Sequence, residues 1–127
     1  MPFLTTQHVD GPIVEGSRGT TGLVADSAGT ELLEACFSAG AERALLYAEN
    51  LPVGFFDLSS RQAGELLQRL RLYGIRLAVL LPPEGVAMSS RFGEMLAEEQ
   101  QGKYFGVFRD RDAAERWLAA PDGAVER

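Results

Sequence analysis

The chain has 127 residues, a formal net charge of −6 and an isoelectric point near 4.8. This length suits a single domain with one hydrophobic core, which folds without a metal or disulfides. The acidic balance argues against nucleic acid as a partner, because binding phosphates requires a clustered basic face. Cys36 is the only cysteine, so we expect no internal disulfide and no cysteine-based zinc site.

The sequence carries no pattern typical of a membrane protein or a nucleotide-binding protein. The apolar run LAVLLPP is far shorter than the roughly 20 residues that span a bilayer. The first ten residues lack the basic segment and apolar run of a secretory signal, so we expect a cytoplasmic protein without membrane contact. Lys103 is the only lysine, and neither its surroundings nor the segment GSRGTTG fits a phosphate-binding fingerprint. We therefore expect no cofactor.

The first 20 residues mix glycine, threonine and proline around a short apolar patch at Ile13 and Val14. This composition predicts a loosely structured N-terminus with a short edge strand at the patch, followed by a turn into the segment GLVA. From Ser27 onward the pattern is regular. Apolar residues at helical spacing predict a first helix that ends at Gly40, with Leu32, Leu33, Cys36 and Phe37 on one face.

Alternating strands and helices are predicted for the rest of the chain. The segment RALLYA predicts a buried strand, and a helix from about Ser60 to Tyr73 follows it. The run from Ile75 to Leu81 is apolar on both faces, which favours a central strand of a covered parallel sheet. A third helix follows Ser89 and Ser90, YFGVF is a further strand, and a closing helix is capped by Asp110 or Asp112, with Trp117, like Tyr73, expected in the core.

This order of elements predicts an α/β fold, because alternation implies a mostly parallel sheet with right-handed crossovers. We expect four or five strands covered by about four helices, with the strand Ile75–Leu81 in the sheet interior. The predicted domain spans residues 1–127, with a core at about 22–119 and a short polar tail from Pro121.

Several sequence segments resemble those of a bacterial family catalogued only as a domain of unknown function, number 4180 of that series. They run in order from about Ala41 to Leu118 as FFDL, AGELLQ, IRLAVL, EEQQGK and DAAERWL. The pair Phe-Phe-Asp-Leu and Ala-Gly-Glu is their most specific part. This resemblance implies no particular activity.

The same order is more remotely similar to the STAS domain of the anti-sigma-factor antagonists. In that fold a strand leads to an Asp-Ser-Ser segment at a helix N-terminus, and the antagonists are phosphorylated there. Here Leu58 separates Asp57 from Ser59 and Ser60. The resemblance implies a STAS-like regulatory domain whose switch is one of these serines, with the inserted Leu58 as a departure from the pattern.

The stretch FFDLSSRQAGELLQ therefore contains the main candidate site, for which two interpretations stand. Ser59 and Gln62 fit a capping box, in which case the serine only begins a helix. Alternatively, Ser59 or Ser60 accepts a phosphate, which a helix N-terminus favours and Arg61 would pair with. Asp57 is either a turn residue or a general base. Glu49 and Asn50, at the end of the preceding strand, are expected on the same rim.

Three functions remain open. The first is a non-enzymatic regulatory or protein-interaction module centred on residues 57–68. The second is a small-molecule-binding protein with an apolar pocket between the sheet and the helices that begin at Ser60 and Ser89. The third is an enzyme that uses Asp57 or Glu49, for which no catalytic constellation is evident. A homodimer through an exposed helix face is a further expectation.

Other polar residues have simpler explanations. Glu94 and Glu98 have the spacing of a solvated helix face, and His8 has no second histidine with which to bind a metal. Cys36 falls on an apolar helix face, which predicts a buried, unreactive thiol. The sequence thus predicts no metal site.

Overall fold

A computed structural model describes residues 3–8, 11–16, 30–51, 55–57, 62–99 and 104–119. These residues form five strands and four α-helices, with a short 3-10 turn at Ala48–Asn50. The strands are β1 (Leu4–His8), β2 (Gly11–Glu15), β3 (Arg43–Tyr47), β4 (Arg76–Leu80) and β5 (Phe105–Phe108). The helices are α1 (Thr30–Ala39), α2 (Gln62–Tyr73), α3 (Ser90–Glu99) and α4 (Arg111–Ala119).

The strands form one sheet in the order β1-β2-β3-β4-β5. β1 is antiparallel to β2, and every other neighbouring pair is parallel. All five residues of β4 are buried, and the strand lies between β3 and β5. The predicted α/β class, the mostly parallel sheet and the interior position of this strand are confirmed.

The two faces of the sheet are covered by different helices. Each step from β2 to β5 moves to the next strand in the same direction, so right-handed crossovers place α1, α2 and α3 on one face. Their buried side chains, such as Leu32, Leu66 and Phe92, share one hydrophobic cluster. On the other face, α4 supplies Ala114 and Leu118 to a smaller cluster. Both faces are thus buried, which accounts for strands that are apolar on both sides.

The predicted strand at Ile13 and Val14 is confirmed as β2, but its position at the sheet edge and the loose structure expected around it are wrong for the residues that the structure describes. A loosely structured segment with one edge strand was expected, but β1 and β2 form an antiparallel pair five residues long. β2 is an interior strand, because Val14 pairs with Ala44 of β3. The segment LTTQH has no apolar alternation, so only pairing with β2 makes it a strand. The segment GLVA lies outside the described residues.

Two aromatic residues predicted to be buried are largely exposed. Phe37 is 55% exposed and Tyr73 is 47% exposed, and their rings meet edge to face at 5.3 Å. Both lie in the last turns of their helices, where Cys36 and Leu70 rather than the two rings enter the core. Trp117, by contrast, is partly buried against the smaller cluster, as expected.

The helix ends agree with the signals in the sequence. Gly40 and Gly74 follow α1 and α2 with φ of 67° and 69°, a backbone conformation that glycine adopts without strain. Ser89 caps α3 by accepting the amide N–H of Phe92 at 3.1 Å. Asp110 caps α4 by accepting the amide N–H of Ala113 at 3.2 Å, which decides between the two predicted caps.

The buried face of α2 gives a first prediction. Leu67 is 3% exposed and Leu72 is 72% exposed on the same helix. Leu67→Ala is expected to lower the free energy of unfolding by about 2 to 5 kcal/mol, because it removes buried methyl groups and leaves a cavity. Leu72→Ala, the matched control, should change it by less than about 0.5 kcal/mol. Chemical denaturation measures both values, and equal effects would show that the face of α2 is misassigned.

Candidate functional site

The carboxyl ends of β2 to β5 lie along one edge of the sheet, where open α/β sheets usually bind ligands. β3 reaches this edge at Tyr47 and continues into the 3-10 turn. Asn50 at the end of this turn is fully buried, and its Oδ1 accepts the amide N–H of Tyr47 at 2.9 Å. Gly16 lies against it, since a Cβ on Gly16 would come within 2.9 Å of the Asn50 Cγ. Asn50 therefore supports the turn from inside.

The aspartate of the FFDL string is displayed on an ordered turn at this edge. Phe55 is 1% exposed, whereas Asp57 is exposed. The carbonyl oxygen of Phe56 accepts the amide N–H of Ser89 at 3.0 Å, which ties the turn to the residue that caps α3. An open depression of about 400 Å³ lies here, lined by Phe56, Asp57, Ala87, Met88 and Ser89. We call the turn Phe55–Asp57 together with Ala87–Ser89 the docking turn.

The two phenylalanines before Asp57 belong to an aromatic cluster beneath α3. The Phe55 ring lies 6.0 Å from Phe92 and 6.2 Å from Phe105, and the Phe56 ring lies 5.2 Å from Phe92. Such tilted and edge-to-face contacts are the favourable arrangements for aromatic pairs. These rings pack between the sheet and α3, which is part of the region between the sheet and the helices from Ser60 and Ser89 where an apolar pocket was expected.

The structure describes three of the six predicted site residues, namely Asp57, Glu49 and Asn50. Asp57 lines the depression, whereas Glu49 is partly buried in the 3-10 turn and is not among the residues that line it. Ser59, Ser60 and Arg61 lie outside the described residues, as does the predicted start of the helix at Ser60.

The same edge holds an ionic cluster that the sequence analysis missed. Arg111 donates hydrogen bonds to Glu15 at 2.7 Å, to Glu115 at 2.6 Å and to the hydroxyl of Tyr47 at 3.3 Å. The hydrogen bond with Glu15 is the largest cause that raises the pKa of Arg111 above its ordinary value. Only the i, i+4 spacing of Arg111 and Glu115 was visible in the sequence. The cluster attaches the start of α4 to the ends of β2 and β3.

The other end of α4 is held by two more arginines. Arg76 donates to the carbonyl oxygens of Leu118 and Trp117 at 3.0 and 2.6 Å, and Arg43 donates to that of Leu118 at 2.7 Å. Arg76 also lies 4.4 Å from the centre of the Trp117 ring. Guanidinium groups at a helix C-terminus satisfy its last carbonyls and oppose its dipole. The ionic groups around α4 thus have a structural role.

The remaining chemical candidates are the buried thiol and a metal site. Burial raises the pKa of Cys36 from its ordinary value of 9.0 to about 12, so the thiol is unreactive at neutral pH, as predicted. Within the described ranges, no three His, Cys, Asp or Glu side chains are grouped so that they could hold a metal ion. Among the same residues, no helix is long and apolar enough to cross a membrane.

Comparison with known proteins confirms the resemblance to the domain-of-unknown-function family. A family model described as "Domain of unknown function (DUF4180)" matches residues 11–118. No curated protein and no solved structure matches the chain. The matched range begins with β2 and ends in α4, so it includes the docking turn and the cluster of Arg111 with Glu15.

The thiol gives a prediction on alkaline stability. Cys36 has a pKa of about 12 in the folded chain and about 9 in the unfolded chain. Below pH 9 the thiol is protonated in both states, so its full contribution to the free energy of unfolding is present. As the pH rises from 9 to 12, the unfolded chain loses the proton first, and this contribution is lost at about 1.4 kcal/mol per pH unit. Denaturation of wild type and Cys36→Ala across this window should give converging curves. Parallel curves would show that the thiol ionises equally in both states.

Proposed function

The chain belongs to the DUF4180 family, and on this premise we propose that it is a non-enzymatic module that binds another protein at the docking turn. One observation carries the proposal: Asp57 is exposed, yet two residues earlier Phe55 is anchored in the core. A charged group on a fixed base suits recognition, because little conformational entropy is lost when a partner binds.

The surface around Asp57 fits a protein partner better than a small polar molecule. Its depression is open and combines the carboxylate with Ala87 and the partly buried Met88. Methionine adapts its shape and is common at protein-binding surfaces. Glu65 and Gln68 of α2 are also exposed, and we include them in the proposed surface. A partner with a basic side chain beside an apolar one would complement this arrangement.

We further propose that phosphorylation of Ser59 or Ser60 regulates this binding. The support is the remote resemblance to STAS domains, together with the position of both serines between Asp57 and the first residue of α2. A phosphate there adds about 1.5 to 2 negative charges to a surface that already carries Asp57. Phosphorylation would therefore change the affinity for a partner that meets Asp57 with a basic group. Arg61 and the helix dipole would keep the free protein stable.

The docking surface is tested by reversing the charge of Asp57. Asp57→Arg is expected to abolish or weaken capture of the partner from native cells, and to weaken its affinity, once purified, by at least about tenfold. Glu42→Arg is the matched control, since Glu42 is exposed and directly precedes β3, at the amino-terminal ends of the parallel strands. The free energy of unfolding of both variants is measured alongside binding, so that a loss of affinity is separated from a loss of folding. Equal binding by both variants would contradict the proposed surface.

The switch is tested separately on protein isolated from its native cells. Mass spectrometry of the tryptic peptide from Ala44 to Arg61 should reveal a phosphate. Ser59→Asp should alter partner affinity with little change in stability, and Ser59→Ala should prevent regulation. If the peptide is never modified and Ser59→Ala only lowers stability by about 1 kcal/mol, Ser59 is a helix cap and the switch is refuted.

A further inference from the structure

β1 presents an open edge of the sheet. Among the described residues it pairs with β2 alone, through five consecutive residue pairs. Pro12 stands opposite Gln7 and has no N–H, so Gln7 and, two residues earlier, Thr5 occupy the positions that do not exchange hydrogen bonds with β2. The backbone N–H and C=O groups of Thr5 and Gln7 therefore point toward the open edge.

Within the residues that the structure describes, this edge carries none of the usual sequence features that prevent pairing. Natural edge strands are commonly interrupted by lysine, proline or a bulge, which prevents another strand from adding to them. The sequence of β1 is LTTQH, without lysine, proline or acidic residues, and its pairing with β2 is continuous. The described backbone is therefore suited to accept one more strand.

A groove runs beside β1 on the side of α1. It has a volume of about 480 Å³, and its apolar part is formed by Phe3, Ala35 and Ala39. Glu31 and Glu34 of α1 also line it, and both are exposed. The side chain of Thr5 faces the same groove. A strand added beside Thr5 and Gln7 would direct every second side chain toward this acidic and apolar surface.

We propose that this β1 groove binds an extended segment of another protein that carries alternating apolar and basic side chains. The segment adds to β1 as a further strand, and its backbone bonds to Thr5 and Gln7. Its basic side chains reach Glu31 and Glu34, while their aliphatic stems cover Ala35. The chain's net charge of −6 also favours the approach of a basic partner.

The charge of the groove distinguishes this partner from a second copy of the chain. If two copies paired through β1, each would bring its own Glu31 and Glu34 to the joined edges. Like charges brought together at an interface disfavour association. A basic segment from another protein avoids this repulsion, because each of its basic side chains neutralises a carboxylate of the groove.

The test titrates the ¹⁵N-labelled full chain with a capped peptide of alternating valine and arginine, followed by NMR. Saturable changes are expected first at the amides of Thr5 and Gln7, and the same peptide with glutamate for arginine should not bind. The double variant Glu31→Gln/Glu34→Gln should weaken binding by at least about tenfold. Glu94→Gln/Glu98→Gln on α3 changes the net charge equally and should leave the affinity unchanged.

A second variant tests the role of the backbone. Thr5→Pro removes an amide that points outward, so β1 should still pair with β2 while the peptide no longer binds. Equal losses in both double variants, changes centred elsewhere, or no binding at all would overturn the proposal. Changes at Thr5 and Gln7 that depend on protein concentration alone would show that a second copy occupies the edge, and would also refute it. Asp57→Arg should leave peptide affinity unchanged, which keeps this site distinct from the docking turn.

Discussion

The packing of Phe55 against Phe92 and Phe105 is the interaction on which the proposed binding surface depends. It joins the turn after β3 to α3 and β5, elements that follow much later in the chain. Because Phe55 is 1% exposed, the turn cannot move without opening part of the core. Asp57 therefore stands at a fixed position beside Ser89. The string FFD, which carries much of the family resemblance, has a direct structural explanation in this contact.

The two faces of the sheet are held by different kinds of contact at the carboxyl ends of the strands. On the face of α4, the edge is occupied by Arg111 with Glu15 and Glu115, and the far end of the helix is held by Arg76 and Arg43. A helix of nine residues is marginal by itself, so contacts at both ends and a small apolar cluster hold it in place. On the other face, larger apolar contacts hold α1, α2 and α3 against the sheet, and Asp57 of the docking turn stays exposed.

The elements that were predicted correctly are those whose sequence signals lie close together in the chain. The repeat of leucines in α2, the apolar run of β4 and the capping residues Ser89 and Asp110 each carry their signal within a few positions. β1 was missed because LTTQH becomes a strand only through its pairing with β2. The contact of Glu15 with Arg111 was missed for the same reason, since 96 positions separate the two residues and only the sheet topology brings them together.

The central claim is that the docking turn is held rigidly before any partner binds, and hydrogen exchange at Ser89 tests it most directly. The amide of Ser89 donates to the carbonyl oxygen of Phe56, so it exchanges only when the turn leaves α3. If Phe55 anchors the turn, NMR should show protection of this amide within about tenfold of that of Val79 in the interior of β4. Exchange at the rate of an unstructured amide, with Val79 still protected, would show a mobile turn and contradict the account.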